Sequence, residues 1–566
     1  MSYLHASPAA LPAELVPLLL APLAWLPHTL AACARVSRTW RHYATPRLYR
    51  HIALRDQTRL RRLVRCLTET PELCKLLQVL EIRVYPFGWP AEALEQLEAE
   101  LCTILTRATN LRQLAWTRTG SLNDRVLPTL GKMPALRHLE LTGDARTWSP
   151  ALLVSSLPVE LEAFSVVLPD RSLIEALEAV VTRCPRLQSL SLLMQHSALL
   201  LDEHLQRLAP HLASLTRLHL MGARRVTAEG VLPILKHGKL KQLALEGLNI
   251  DPNSLESFVP SLQDLHALSL TVPAARTAPR HDFFRELTAV CARLPLLSEL
   301  TVYVSSNNTP GDADEDDSDD EAVNVPQPAL SLTDEEMLDE EAPGIRRTRS
   351  RRGEVRALTA ACNGRLKKLR IHRVGVAVPE LQAMVRLLSH VESLVVHLSN
   401  VDNPELLPEI FAQLPQLREL HLLADTSEGT LLDSACLLRL ARACPNLAQL
   451  GFRNRVWDVD RVPWTRSGDP IAPPGIDRHT TGVRPADAGL DDAAAAEAAD
   501  DDDDVSSRLR ASAAAAVPVL RPLDMSSARF PEVFLVTLYA DGLALHESDE
   551  AFGAFQRTLG SWDRRR

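Results

Sequence analysis

The side chains in this sequence that could do chemistry recur at alternate positions between leucines. LTRLHL carries Arg217 and His219, LKKLRIH carries Lys368, Arg370 and His372, and LRELHL carries Glu419 and His421. Equivalent positions in other stretches supply Glu246, Glu299, Tyr303, His397 and Arg453. Alternation is the period of a strand, so these groups project from one face and the leucines from the other. On an exposed sheet face they can pair, hydrogen-bond and stack against another protein, and Arg and Tyr are types that dominate interfaces. Between 111 and 193 the same positions carry mainly Ser, Thr, Ala and Gln, which puts the expected target surface between about 297 and 453.

Catalytic chemistry has no comparable support. No glycine loop for phosphate, no GxSxG and no HExxH occurs, and glycine is scarce at 22 residues. The nine cysteines (Cys33, Cys66, Cys74, Cys102, Cys184, Cys291, Cys362, Cys436 and Cys444) form no CxxC pair and no cluster with histidine. They read as reduced, mostly buried thiols of an intracellular protein, and no metal, cofactor or catalytic residue is expected.

The elements that position these side chains are repeated. Leu-x-x-Leu-x-Leu recurs thirteen times, starting at 77, 111, 136, 161, 187, 215, 240, 265, 297, 366, 391, 417 and 447, mostly 25, 26 or 28 residues apart. Intervening stretches such as DEHLQRLAPHLASL (202–215) have helical spacing. One strand plus one returning helix cannot bury its own leucines, whereas stacked neighbours can, so the period predicts an α/β solenoid, a right-handed leucine-rich-repeat horseshoe. CPRLQSL and CPNLAQL resemble the cysteine-containing subclass of such repeats, while the asparagine usual after the strand is mostly missing, which predicts an irregular arc.

The first 54 residues differ in kind. No charge occurs from Leu15 to Ala34, yet Pro17, Pro22 and Pro27 would each remove a backbone donor from a spanning helix, and residues 1–14 lack the positive charge of an export signal. A helical module is the better reading, with Leu15, Leu18 and Leu19 as an apolar stripe, a helix near Thr29–Val36, and Trp40 and Tyr43 on a third. LPAEL, CARVSRTW and PRLYRHIAL closely resemble the F-box in its fungal form, over Ala10 to Leu54. The resemblance implies that Leu11, Pro12, Leu15, Leu19, Val36 and Trp40 dock a Skp-type adaptor and, through it, a cullin–RING ubiquitin ligase. The prolines at 17 and 22 depart from the usual uninterrupted first helix.

These segments give the expected domain order: an F-box-like module (8–54), the first part of the solenoid (55–304), an insert (305–355), its second part (356–464), a flexible linker (465–529) and a strand–helix cap (530–562). The insert holds 15 acidic and five basic side chains, and residues 485–508 hold nine acidic and one basic. Together they account for more than the whole net charge of −9, leaving the remaining chain mildly basic. The insert cannot bury enough apolar surface to offset its ordering entropy and is expected to be disordered. Ser318 and Thr333 lie in the acidic context that casein-kinase-type enzymes favour, and Arg346, Arg347, Arg349, Arg351 and Arg352 read equally as a nuclear import signal or as neutralisers of the acid beside them.

The resulting expectation is a non-catalytic substrate-recognition subunit, cytoplasmic and/or nuclear, with a protein target and no membrane partner. The alternative is a non-degradative scaffold whose helical module only caps the solenoid. Nucleic-acid binding through the basic folded part is the weaker reading, because the basic residues are not interleaved with aromatics, and no nucleic-acid partner is expected.

Overall fold

The computed structural model describes residues 12–23, 27–54, 56–272, 280–304, 348–349, 353–362, 364–399, 403–424, 432–452, 455–462 and 517–522. They divide into two compact units, the second beginning at Val376. The strands of the first are β1 (His51–Leu54), β2 (Val79–Ile82), β3 (Gln113–Trp116), β4 (His138–Thr142), β5 (Ala163–Val167), β6 (Ser189–Ser197), β7 (Arg217–Ala223), β8 (Gln242–Glu246), β9 (Ala267–Val272), β10 (Glu299–Val304), β11 (Thr348–Arg349) and β12 (Lys368–Val376). Those of the second are β13 (Ser393–Leu398), β14 (Glu419–Ala424), β15 (Gln449–Phe452), β16 (Arg455–Val462) and β17 (Val517–Pro522).

All thirteen leucine stretches form strands, and each strand begins at the third residue of its stretch. The backbone shows why. In most repeats the amide of the first leucine closes a turn onto the carbonyl three residues back, as in Leu111 to Ala108, Leu187 to Cys184 and Leu447 to Cys444. The carbonyl of the second residue then accepts the amides of the second and third residues of the next repeat: Arg112 from Arg137 and His138, Gln188 from Thr216 and Arg217. This shared acceptor fixes the register. The fourth and sixth side chains, for example Leu218 and Leu220, are fully buried against the returning helices, where each leucine contributes about 1.5–3 kcal/mol of transfer free energy.

The same bonds cross the insert. The Ser298 carbonyl accepts from Lys367 and Lys368, and β10 pairs directly with β12 in parallel register, Glu299 opposite Lys368. The 69-residue spacing therefore holds one ordinary repeat step, from helix Glu354–Ala361 into β12. Within the expected insert, Thr348–Arg349 pairs with Val374–Gly375; residues 305–347, Ser318 and Thr333 among them, lie outside the described residues.

Where asparagine is missing, aspartate joins neighbouring repeats. Asp202 accepts from Thr227 N at 2.8 Å and from its hydroxyl at 2.6 Å, Asp170 accepts from Ala145 N at 2.9 Å, and Asp124 from Ser149 N at 2.7 Å. Helix Ala228–His237 passes so near that a Cβ on Gly230 would lie 2.3 Å from Asp202 Oδ1 and 2.7 Å from its Cα. One returning segment, Pro252–Ser261, is a 3-10 helix with Pro252 and Pro260 near its ends.

Two boundaries differ from the sequence reading. β1, assigned above to the helical module, pairs in parallel with β2 and is the first strand of the sheet. In the second unit the parallel run ends at β15, which pairs antiparallel with β16, and β16 pairs antiparallel with β17 inside the stretch read as a flexible linker. Arg461 of β16 donates from Nη2 to the Ala441 and Cys444 carbonyls, tying it to the end of helix Ser434–Ala443. The expected cap at 530–562 lies outside the described residues.

Candidate protein-interaction surfaces

The helical module is built from short pieces: a 3-10 turn Ala13–Leu15, helix Val16–Leu20, a 3-10 turn Ala21–Leu23, helix Pro27–Cys33 and helix Arg38–Arg50. Pro12 precedes the first turn, and Pro17 sits in the first turn of its helix, where a missing amide costs nothing. Ser37 caps the long helix by accepting from Trp40 N at 3.3 Å. Arg47 donates to the Pro17 carbonyl at 3.1 Å and holds that helix against the first. The buried core is small, with Val16, Leu20, Leu30 and Ala44 backed by half-buried Trp40, Tyr43 and Leu48.

The expected stripe faces outward. Leu15, Leu18 and Leu19 are 42%, 68% and 48% exposed, and Val36, in the turn before the long helix, is 55% exposed. Among the described residues these are four of nine large apolar side chains left exposed. Pro12 is exposed as well, whereas Trp40 belongs to the core of the module; Leu11 lies outside the described residues. The 3-10 start explains the difference: it rotates the helix so that Val16 and Leu20, not the three leucines, point inward.

The polar face of the sheet is ordered in rows, because every repeat has the same register. The fifth positions of the first unit run Glu81, Ala115, Glu140, Ser165, Ser191, His219, Ala244, Ser269, Thr301, Arg370. Strands lie about 4.8 Å apart, so neighbours in a row shield one another, and much of this face is buried. His219, Glu246 and His372 are 6%, 5% and 3% exposed, and in the second unit His421 is 2% exposed. This corrects the expectation that these four face a partner. Glu246 accepts from Ser269 Oγ at 2.6 Å and lies 3.5 Å from His219 Nε2. The carboxylate stands between hydroxyl and imidazole, so the histidine is not placed to take the serine proton, and the three serve packing.

Near the start of the sheet lies a cluster that the sequence reading missed. Arg83 donates from Nε to Glu81 Oε2 at 3.0 Å, and its Nη1 lies 3.8 Å from Glu140 Oε1 and 3.5 Å from Thr117 Oγ1. Glu81 Oε1 meets His51 Nε2 at 2.9 Å. The Glu81 and Arg83 side chains are 0% and 1% exposed. Ala115 lies between the two carboxylates in the row, and its methyl leaves room for the guanidinium. The signal was present in LQVLEIR and LRHLEL, at their fifth and seventh positions.

Further along, the face opens. Lys368 Nζ bonds Glu299 Oε1 at 2.6 Å with both side chains half-exposed, and Arg217 and Arg370 are half-buried. Tyr303 stands opposite His372 in the backbone register. In the second unit, His397 and Glu419 are half-buried; Arg453 lies outside the described residues. Of the expected target surface, then, Arg217, Glu299, Lys368 and Arg370 in the first unit keep polar groups within reach of a partner. Among the described residues no group of His, Cys, Asp and Glu could hold a metal ion, and no helix is long and apolar enough to cross a membrane.

No family model matches this chain, and no curated protein matches it. Among solved structures the chain is similar to the leucine-rich repeat-containing protein LegL7 from Legionella pneumophila, at TM-score 0.35 and 11% identity over 58% of this chain and 97% of that one. It is also similar to a chain of the Rad7 and Elc1 complex in yeast, at TM-score 0.36 and 15% identity over 69% of this chain and 89% of that one. Both scores are low, and the repeat architecture stands on the strand register described above.

Proposed function

We propose that this chain is a non-catalytic substrate-recognition subunit of a Skp–cullin–F-box ubiquitin ligase, working in the cytoplasm, the nucleus or both. The observation that carries the reading is the outward-facing apolar set Leu15, Leu18, Leu19 and Val36 on a three-helix module at the head of a repeat stack. A module with so small a core gains nothing from holding three leucines in water unless a partner covers them. The resemblance of LPAEL, CARVSRTW and PRLYRHIAL to the F-box makes that partner a Skp-type adaptor. The repeat stack then presents a target on its polar face, and the chain contributes positioning while other subunits perform the transfer.

The test is copurification of adaptor and cullin with the full chain and with Leu15→Asp/Leu19→Asp. Both residues are exposed, so folding should be unchanged. Buried anchors of this kind carry about 2 kcal/mol or more each, and the variant should lose the adaptor by thirtyfold or more. Full adaptor binding by the variant, or a wild-type chain that brings down no cullin, contradicts the reading; the latter result favours the scaffold alternative.

A further inference from the structure

The structure brings together a surface that the sequence keeps apart. From Arg35 to Arg65 there are ten arginines, no lysine and one acidic residue, Asp56, whose carboxylate caps the helix Gln57–Glu69 by accepting from Thr58 N at 2.7 Å. That helix buries Leu60, Val64 and Leu67 and turns Arg59, Arg61 and Arg62 to solvent. Arg65 is held by Glu69 at 2.8 Å, whereas Arg59 and Arg62 form no ion pair among the described residues.

The loop after β2 reaches this helix. The Arg61 guanidinium lies over the Trp89 ring at 4.2 Å, and Phe87 carries Arg118 over its ring at 5.4 Å. Phe87 also packs on Tyr85 at 5.3 Å, and Tyr85 is fixed by donating its hydroxyl hydrogen to Glu98 at 2.9 Å. Phe87 is 46% exposed, and it is the one aromatic among the large apolar side chains left exposed in the described residues. Aromatic rings and guanidinium groups thus alternate across a single patch, although in the sequence each guanidinium stands 28 or 31 positions from the ring it covers.

We infer that this patch binds single-stranded nucleic acid. Guanidinium forks match phosphate oxygens in pairs, which suits a surface whose basic groups are all arginines. An acidic peptide would be satisfied by the same charges but has no use for a propped, half-exposed ring. An unstacked base does, because every base has a face to lay on an aromatic platform. A duplex hides those faces and gives Phe87 nothing to stack on. The inference is independent of the ligase reading, since Leu15, Leu19 and Val36 take no part in it.

The probe is a fluorescein-labelled 20-nucleotide single strand, as oligo-U RNA and as oligo-dT DNA, titrated with the full chain and followed by anisotropy across a salt series. Binding should be measurable at low salt and weaken steeply as salt rises, because phosphate neutralisation releases counterions. Arg59→Ala/Arg62→Ala should weaken it by about tenfold or more and flatten the salt dependence. Phe87→Ala should weaken it about fivefold or more at unchanged salt slope, with Phe87→Leu as a second variant should the first fail to fold. No binding of either strand at 50 mM salt (an affinity weaker than about 100 µM, the weak end of non-specific binding even at physiological salt) overturns the inference. Full binding by the double arginine variant places the contact elsewhere and also overturns it. So does a Phe87→Ala chain that binds normally while polyglutamate competes as well as the oligonucleotide; the patch would then be a plain acceptor for acidic protein.

Discussion

Two charged clusters on the same sheet face, six strands apart, do opposite things. Glu81, Arg83 and Glu140 are sealed from water and set opposite charges together, with His51 and Thr117 at the edge of the set. Glu299 and Lys368 form an equally short pair, yet they are half-exposed, with Arg370 half-buried beside them. Both set carboxylates against basic side chains on that face, but at different places in the repeat: the fifth and seventh positions in the sealed cluster, the third and fifth in the open one. The rows differ too: Ala115 stands between the two carboxylates of the fifth-position row and admits a guanidinium, whereas Glu299 and Lys368 are direct neighbours in the third-position row. A charge on this face is therefore structural or available according to its position in the repeat and its neighbours in the adjacent repeats.

The largest effect should come from the sealed cluster. Arg83→Met leaves two carboxylates in a desolvated site, and losing one member of such a group costs about 3–5 kcal/mol. Denaturant unfolding should show this as a large drop in midpoint; a loss under about 1 kcal/mol would mean that water reaches the cluster.

Next comes Gly230→Ala, whose Cβ would run into the Asp202 side chain and backbone. Overpacking of this kind costs about 1–3 kcal/mol, and thermal unfolding should reveal it. A neutral result would show that the aspartate link between these helices yields easily.

A third effect appears only in alkali. Burial pushes the Cys184 and Cys444 thiols up from 9.0 to about 11, while each is ordinary once unfolded. Raised folded values mean that the native state keeps protons which the unfolded chain releases. The contribution is therefore intact below pH 9 and is lost between about 9 and 11, at about 1.4 kcal/mol per pH unit for each thiol. Stability–pH curves of the wild type and of Cys184→Ala/Cys444→Ala should diverge in that window, and parallel curves would refute the burial effect.

The smallest change belongs to the open pair. Lys368→Met should cost no more than about 1 kcal/mol, because half-exposed ion pairs are screened by solvent. A loss as large as that of Arg83→Met would abolish the distinction between the two clusters.

Most of the fold was legible, because leucine spacing makes a physical demand that only stacking meets; even the third-residue start of every strand follows from the turn closed by the first leucine. LYRHIAL reads with the helical module because it completes the F-box resemblance, yet Gln78 N bonds the Arg50 carbonyl and extends the same ladder. On the polar face, sequence shows which side chains share a repeat but not which shield one another across rows. That is why His219, Glu246, His372 and His421 passed for contact residues and why Glu81, Arg83 and Glu140 were overlooked. The arginine–aromatic patch was hidden for a similar reason, since Arg61 and Trp89 meet only through the fold.

The most direct test of the account is capture by the full chain, with Lys368→Glu/Arg370→Glu compared against wild type and against Leu15→Asp/Leu19→Asp, and all bound proteins quantified by mass spectrometry. The account predicts that charge reversal removes the captured targets while adaptor and cullin remain, and that the leucine variant does the reverse. Targets retained at wild-type level on the Lys368→Glu/Arg370→Glu chain would contradict it.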